Sequence, residues 1–196
     1  MPTNPERTGR PSLREVLEVM VPHRRQRIVV TTMASTAVWP KLSDSPLDIT
    51  YIPSAMGQAP TLGLGLALAQ PKRGVIVVNG DGCMLMNLGC LVTLANNPAP
   101  LYMVIIDNGI YEVTGGQPVA GSGRTDFAGL ARAAGIPRVY AFDKLDDWKQ
   151  KAGEALTGPG PVVIWIKVEG RLGEKTPTPP YPITEQISRL RAALGV

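Results

Sequence analysis

The sequence predicts an α/β fold, a three-layer sandwich in which a central, mostly parallel sheet of about six strands lies between helices. Two observations lead to this prediction. Several strand-like segments, such as GVIVVN (74–79) and PVVIWIKV (161–168), contain continuous apolar runs and not an alternation of apolar and polar residues, which is typical of parallel strands buried on both faces. These segments also alternate along the chain with segments of helical periodicity, as expected for right-handed β-α-β crossovers.

The elements before residue 73 follow from the spacing of apolar residues and from the prolines that interrupt it. Residues 1–11 are polar and contain prolines, which indicates a loose tail. Pro40 and Pro46 lie within STAVWPKLSDSPLD (35–48), which is therefore predicted to be a loop. In chain order the other predicted elements are a helix over 12–21, a strand over 27–32, a strand over 49–52 and a buried helix over 57–71.

The second half of the chain continues the alternation. The predicted elements are strands over 74–79, 101–108, 138–143 and 161–168 and helices over 83–96, 126–135, 145–156 and 184–194. Thr184 is a candidate N-cap of the last helix. We therefore expect three parts: an N-terminal tail and helix (1–26), a central ligand-binding domain (27–170), and a C-terminal loop and helix (171–196).

Composition restricts the class of protein. With 196 residues, 44% hydrophobic and 18% charged, the chain is long enough for a sizeable core. It has no apolar run near the ~20 residues of a membrane span and no apolar core of a signal peptide. We therefore expect a cytoplasmic protein that does not bind membranes.

The basic residues near the start do not indicate nucleic-acid binding. The net charge is +4, and Arg24, Arg25 and Arg27 form a cluster that no aromatic residues interleave. The sequence favours a solvated helix end, with no nucleic-acid partner.

The few cysteines and histidines argue against two common kinds of site. Cys83 and Cys90 are seven residues apart, which matches no usual zinc or iron–sulfur spacing. His23 is the single histidine, so a Ser-His-Asp or Cys-His catalytic set within this chain is not expected.

Unusual polar groups follow two of the predicted strands, in NGDGC (79–83) and DNGIYEVTGGQ (107–117). If these strands are neighbours, both loops face one crevice, because ligands bind at the carboxyl ends of parallel strands. Gly80 and Gly82 allow a phosphate to approach the backbone. Asp81 would repel that phosphate unless a cation lies between them. Mg²⁺ fits, with oxygens from Asp81, Asn108 and the main-chain carbonyl of Ile110.

The segment GDGCMLMNLGCLVTLANNPAPLYMVIIDN (80–108) resembles the cofactor motif of thiamine diphosphate-dependent enzymes, which begins with GDG and ends in Asn. Here Asn108 follows Asp81 by 27 residues, and Asp107 replaces the usual first Asn of the closing pair. The resemblance implies thiamine diphosphate and Mg²⁺ as cofactors. By the same resemblance the Mg²⁺ ligands are Asp81, Asn108 and the Ile110 carbonyl, and the diphosphate is lined by Gly80, Gly82, Cys83 and Met84.

A second segment, PSAMGQAPTLGLGLALAQP (53–71), resembles the stretch of that family that bends the cofactor. The resemblance implies that Met56 is the large apolar residue that props the cofactor and that the Ser54 carbonyl accepts a hydrogen bond from its aminopyrimidine. Thr32 and Ser35, after the first strand, are further candidates for diphosphate contacts.

The resemblance covers roughly residues 27–170 and corresponds to the diphosphate-binding domain alone. In this family the cofactor lies between that domain and a pyrimidine-binding domain, which supplies the glutamate that activates the cofactor. We therefore expect a heteromer, such as two plus two, in which a separate chain carries the pyrimidine-binding domain and that glutamate. The catalytic residues of this chain itself stay unknown.

The segment IIDNGIYEVTGGQP (105–118) is similar to sulfopyruvate and phosphonopyruvate decarboxylases, in which TGGQ follows the cofactor Asn. The resemblance implies decarboxylation of a small anionic 2-oxo acid to CO₂ and an aldehyde, a lyase reaction. Thr114, Gly115, Gly116 and Gln117 would lie near the mouth of the site, with Thr114 and Gln117 as candidate substrate contacts.

Other functions stay open from the sequence. The chain could belong to a carboligase of the acetolactate synthase type, a 2-oxo acid oxidoreductase, or a non-catalytic cofactor-binding module. Two cysteines are too few for the cluster that such oxidoreductases often carry. A Rossmann nucleotide site is disfavoured because LGLGLALA offers Gly63 and Gly65 without the third glycine.

Overall fold

A computed structural model of the chain describes residues 9–50, 56–173 and 177–196. Two short 3-10 turns, Trp39–Lys41 and Glu112–Thr114, accompany the regular elements. In chain order those elements are α1 (Leu13–Arg24), β1 (Ile28–Thr31), α2 (Ser35–Val38), β2 (Asp48–Thr50), α3 (Ala59–Ala69), β3 (Val75–Gly80), α4 (Asp81–Leu85), α5 (Cys90–Ala95), β4 (Leu101–Asp107), β5 (Ile110–Tyr111), β6 (Gln117–Pro118), α6 (Phe127–Ala133), β7 (Arg138–Phe142), α7 (Leu145–Ala155), β8 (Val162–Lys167) and α8 (Ile183–Leu194).

Six of the strands form one parallel sheet in the order β2-β1-β3-β4-β8-β7. This confirms the predicted α/β class and strand number. The chain moves from β1 outward to β2, then returns past β1 to β3, so the strand order reverses between β1 and β3. Such a reversal opens a crevice at the carboxyl ends of the two strands, where ligands of open α/β sheets bind. The antiparallel hairpin of β5 and β6 was not predicted.

Helices cover both faces of the sheet, as the uninterrupted apolar strands predicted. On one face α3, α5, α6 and α8 bury apolar residues against the strands, among them Leu64 and Phe127. On the other face α1 and α7 do the same, with Leu17 and Trp148 fully buried. None of the helices in the described ranges is long and apolar enough to cross a membrane.

Two predicted elements, the loop over 35–48 and the helix over 83–96, differ from the structure. The predicted loop over 35–48 contains α2 and a 3-10 turn, which accommodates Pro40 because proline is tolerated in the first turn of a helix. The predicted helix over 83–96 is two helices, α4 and α5, separated at residues 86–89. Asn87 lies in this break and donates its side-chain amide to the Gly57 carbonyl at 2.8 Å.

Two further local predictions were wrong. Helix α8 begins at Ile183, with Pro182 at its N-cap position, so Thr184 lies inside the helix and is not its cap. The arginine cluster is not a simple solvated helix end. Arg24 forms a 2.8 Å ion pair with Asp48, and buried Arg27 stacks its guanidinium 4.7 Å from the centre of the Tyr102 ring.

Two glycines of α3 allow a direct test of how closely this helix packs on the sheet. A Cβ at Gly63 would clash with Cγ2 of Val77, whereas a Cβ at Gly65 would meet nothing. We expect Gly63→Ala to lower the free energy of unfolding by about 1–3 kcal/mol, because a buried β-branched side chain cannot move aside. Gly65→Ala is the matched control and should raise it by up to about 1 kcal/mol through helix propensity.

Urea unfolding of both variants measures the difference. Equal stabilities for Gly63→Ala and the unchanged chain would show that α3 does not require its close approach to β3.

Candidate functional site

A cavity of about 290 Å³ opens at the carboxyl ends of β1, β3 and β4. It coincides with the crevice that the strand order creates. Its wall is mainly apolar, with a few polar groups. The lining residues are Leu13, Thr32, Met33, Ala34, Ser35, Met56, Val78, Asn79, Gly80, Asp81, Gly82, Cys83, Met86, Ile106, Asn108, Ile110, Tyr111, Glu112, Val113, Thr114 and Val168.

The two polar loops singled out in the sequence meet in this cavity. Strands β3 and β4 are direct neighbours, with Gly80 paired to Ile106, so their carboxyl ends lie side by side. The loops are also joined by a hydrogen bond, since the Gly109 N–H donates to Oδ2 of Asp81 at 2.8 Å. Gly109 has φ +75°, a conformation that glycine adopts without strain. The expected shared crevice is confirmed.

Asp81 is a buried carboxyl at the first position of α4. Its Oδ1 accepts the Gly82 N–H at 2.8 Å. The pKa of Asp81 is raised to about 7: burial is the largest cause and the nearby carboxyl of Asp107 adds to it, whereas the N–H groups of Gly82 and Gly109 partly oppose the rise. Charging this carboxylate is therefore unfavourable unless a cation compensates it.

The raised pKa of Asp81 predicts how stability depends on pH without metal. The folded-state pKa of about 7 exceeds the ordinary value of 3.8, so the folded chain binds this proton more tightly than the unfolded chain. The free energy of unfolding should therefore fall as pH rises from about 4 to about 7. Burial raises the pKa of Asp48 too, which adds to the same trend.

We expect Asp81→Asn to make this decline markedly smaller and to stabilise the metal-free chain at about pH 8. Urea unfolding at about pH 5 and about pH 8, with chelator present, measures it. Asp143→Asn, on an exposed residue, is the control. An unchanged decline in Asp81→Asn would contradict the assignment of this pH dependence to Asp81.

The oxygen atoms around Asp81 are of the kind that hard cations prefer. Asn108 and Ile110 line the same cavity, and the Asn108 side-chain oxygen accepts the Ile110 N–H at 3.0 Å, which turns the loop. The described part of the chain has no group of three or more His, Cys, Asp or Glu placed to hold a metal. A cation here would thus depend on one carboxylate together with amide and carbonyl oxygens, a set that suits Mg²⁺.

A donor on the β3 side of the cavity complements an anion. Asn79 is buried, and within the described residues its amide nitrogen has no hydrogen-bond partner. An oxyanion in the cavity would satisfy it, which would remove the penalty of a buried, unpaired donor. The Thr32 and Ser35 hydroxyls line the cavity, and each donates to a main-chain carbonyl, of Val78 and of Thr32 respectively.

The remaining predicted residues divide into those that reach the cavity and those that do not. Met56, 45% exposed, and Thr114 lie on its wall, as does Cys83, whose thiol pKa is raised by burial. Met84 packs its side chain in the core, and Gln117 lies outside the cavity on exposed β6. Ser54 lies outside the described residues.

Several residues of the wall were not anticipated from the sequence. Tyr111 packs against Gly82 so closely that a Cβ on Gly82 would clash with the ring. Met86, 52% exposed, and Glu112, which accepts the Arg171 N–H at 2.7 Å, also line the cavity. Their position within or just after the two polar loops was the available signal.

Fold and cavity together define a class: a doubly wound α/β domain whose cavity, at the carboxyl edge of the sheet, is lined by groups that suit an anion and a hard cation. Residues 30–166 match the family model described as "Thiamine pyrophosphate enzyme, C-terminal TPP binding domain". The chain belongs to this family, whose cofactor is thiamine diphosphate.

Two decarboxylases are similar in sequence to this chain, which is consistent with its membership of the family. The chain is 38% identical over 146 residues to phosphonopyruvate decarboxylase of Streptomyces viridochromogenes, covering 74% of this chain and 36% of that protein. It is 38% identical over 129 residues to sulfopyruvate decarboxylase subunit beta of Methanothermobacter thermautotrophicus, covering 65% of each. The chain therefore spans about a third of the first relative and about two thirds of the second.

A solved structure supports the fold. The thiamine diphosphate-dependent 4-hydroxybenzoylformate decarboxylase of Rhodococcus jostii RHA1 superposes with a TM-score of 0.66 at 20% identity, over 83% of this chain and 33% of that one.

Proposed function

We propose that the chain is the diphosphate-binding subunit of a split, thiamine diphosphate- and Mg²⁺-dependent 2-oxo acid decarboxylase that releases CO₂ and an aldehyde. One observation carries the proposal. In a chain of the thiamine pyrophosphate enzyme family, the buried carboxylate of Asp81 shares a cavity with Asn108 and Ile110 at the ends of two adjacent parallel strands.

Asp81, Asn108 and the Ile110 carbonyl are the proposed Mg²⁺ ligands. Their common cavity and hard oxygen chemistry support this assignment. The cation would neutralise a carboxylate whose charging is otherwise disfavoured by burial. Metal binding and the ionisation of Asp81 would therefore favour each other.

The diphosphate is proposed to lie against the backbone of residues 80–84, which includes Gly80, Gly82, Cys83 and Met84. Met84 would take part through its main chain, since its side chain is in the core. The amide nitrogen of Asn79, which has no partner among the described residues, adds a donor from the end of β3. The Thr32 and Ser35 hydroxyls line the same side of the cavity, and each would contact the diphosphate only by giving up its hydrogen bond to a main-chain carbonyl.

When bound, the cofactor supplies an electron sink for loss of CO₂ from the substrate. The protein's part is to position and enclose it. Met56, partly exposed at the cavity mouth, has the size and place to support a bent cofactor, and Ser54 is proposed to accept from the aminopyrimidine. The apolar wall, with Met33, Met86 and Val113, excludes water from the reacting groups.

The proposed substrate is a small anionic 2-oxo acid of the sulfopyruvate or phosphonopyruvate kind. The names of the relatives support this class. Thr114, on the cavity wall, is the proposed substrate contact of this chain. Gln117 belongs to the same turn but lies outside the wall, so it would contact substrate only after the β5–β6 hairpin moves.

A second polypeptide, carrying a pyrimidine-binding domain and the activating glutamate, is proposed to complete the site. The relative from Methanothermobacter thermautotrophicus, of which 65% is covered, is named as a beta subunit, which supports a division of this enzyme between two chains. The surface of α3 and α5 is a suitable docking site. No Asp, Glu, Lys or Arg occurs over 56–70 or 82–100, although both stretches have exposed residues.

We call this surface the α3–α5 face. It lies next to Met56 and Met86 at the cavity mouth, and uncharged exposed patches of this kind mark interaction sites. The face consists of Thr61, Leu62, Gly65, Leu68, Gly89, Val92 and Thr93, all of them exposed.

The experiment is co-expression of this chain with a second chain, encoded in the same genome, that carries a pyrimidine-binding domain. CO₂ release is then measured with sulfopyruvate, phosphonopyruvate, pyruvate and aryl 2-oxo acids. We expect thiamine diphosphate- and Mg²⁺-dependent CO₂ release with a sulfonated or phosphonated substrate and formation of the matching aldehyde. Formation of acetolactate from pyruvate instead would favour a carboligase, and no turnover with any substrate would favour a non-catalytic module.

A further inference from the structure

Asp107 places a second carboxyl next to Asp81. It is the last residue of β4, one position beyond the pairing of Gly80 with Ile106, and its carboxyl lies within hydrogen-bonding reach of that of Asp81, the first residue of α4. Both residues stand at the carboxyl edge of the sheet, where the cavity opens. Asp107 is not one of the residues that line the cavity, so it stands beside Asp81 as a second acidic side chain and not as part of the cavity wall.

Trp165 holds the carboxyl of Asp107 in place. The indole Nε1 donates to Oδ2 of Asp107 at 2.9 Å from the neighbouring strand β8. The indole is itself fixed, by an edge contact with Phe127 at 6.0 Å between ring centres and by the Lys167 ammonium 4.7 Å from its ring centre. Asp107 is thus oriented by a contact outside the cavity.

The hydrogen bond with Trp165 does not by itself require a carboxylate. The side-chain oxygen of an asparagine would accept from the indole equally well. What an aspartate adds is a negative charge beside Asp81, and without a cation that charge makes the site less favourable. An adjacent divalent cation reverses the sign of this interaction, because two carboxylates attract it more strongly than one.

We infer that Asp107 is a positioning residue that, oriented by Trp165, holds a second negative charge beside Asp81 and so strengthens divalent-cation binding. The inference rests on the proposed function, in which Asp81 is a Mg²⁺ ligand. The same charge repels a diphosphate that arrives without metal. The two carboxylates together would make cofactor binding strictly dependent on the cation.

The test compares Asp107→Asn with the unchanged chain, each co-expressed with its partner. Mn²⁺ binding in the presence of thiamine diphosphate is followed by electron paramagnetic resonance, and metal-free cofactor binding by calorimetry. We expect Asp107→Asn to weaken Mn²⁺ binding about tenfold, in the range found for outer-sphere partners of metal ligands. Metal-free cofactor binding should become tighter in the same variant, which a merely structural role would not produce.

Two further variants separate charge from position. Trp165→Phe keeps the charge of Asp107 but frees its carboxyl, so it should weaken Mn²⁺ binding less than Asp107→Asn. Asp143→Asn removes an exposed carboxylate elsewhere and should leave Mn²⁺ binding unchanged.

Unchanged Mn²⁺ affinity in Asp107→Asn, with the unchanged chain binding normally, would overturn the role of Asp107 and leave the proposed function intact. Failure of the unchanged chain to bind Mn²⁺ with the cofactor would overturn both.

Discussion

Asp81→Ala is expected to abolish Mg²⁺-dependent binding of thiamine diphosphate, with at least about a 100-fold loss of affinity. The reason is twofold. The variant removes the only carboxylate among the proposed metal ligands, and it leaves the diphosphate in a mainly apolar cavity without its compensating cation. Calorimetric titration of the cofactor with Mg²⁺ and the partner chain present measures the loss.

Asp143→Ala is the matched control, since this exposed carboxylate lies on the segment between β7 and α7 and should leave affinity unchanged. Asp81→Ala should stay folded, because the side chain it removes is harder to charge than usual. Unchanged cofactor affinity in a folded Asp81→Ala variant would refute the metal assignment, and with it the proposed function.

Placing charge on the α3–α5 face is expected to disrupt the proposed association with the partner chain. Leu68 and Val92 are 51% and 54% exposed, so lysine at both positions should change the stability of this chain itself by less than about 0.5 kcal/mol. In the complex, however, the two ammonium groups would be buried without counter-charges. We expect at least a tenfold loss of partner affinity and a parallel loss of CO₂ release.

Leu130→Lys provides the control, because this leucine is 37% exposed on α6, which packs on β7 and β8 towards the opposite edge of the sheet from β1 and β2. Affinity is measured by interferometry with the partner immobilised. If the Leu68→Lys, Val92→Lys double variant binds the partner as well as the control does, the partner docks elsewhere.

Much of the fold was predictable because the relevant signals are local. A strand buried on both faces must be apolar throughout, so β3, β4 and β8 are visible as runs of apolar residues. The interruption between α4 and α5 was not predictable in the same way. Helical periodicity continues through 83–96, and the break involves Asn87, which bonds to Gly57 thirty residues earlier in the chain.

In the candidate site, too, some features follow from the local sequence and others depend on contacts between distant residues. The sequence by itself determined the family, because Gly80, Asp81 and Asn108 occur at a spacing that one β-α-β unit imposes. Only the tertiary structure decided that Tyr111 packs on Gly82 and that Trp165 orients Asp107 across 58 residues of chain. Chemistry that depends on residue type and spacing can be predicted from a short stretch of sequence. Side-chain contacts depend on strand order and register, which bring together residues that are distant in the sequence.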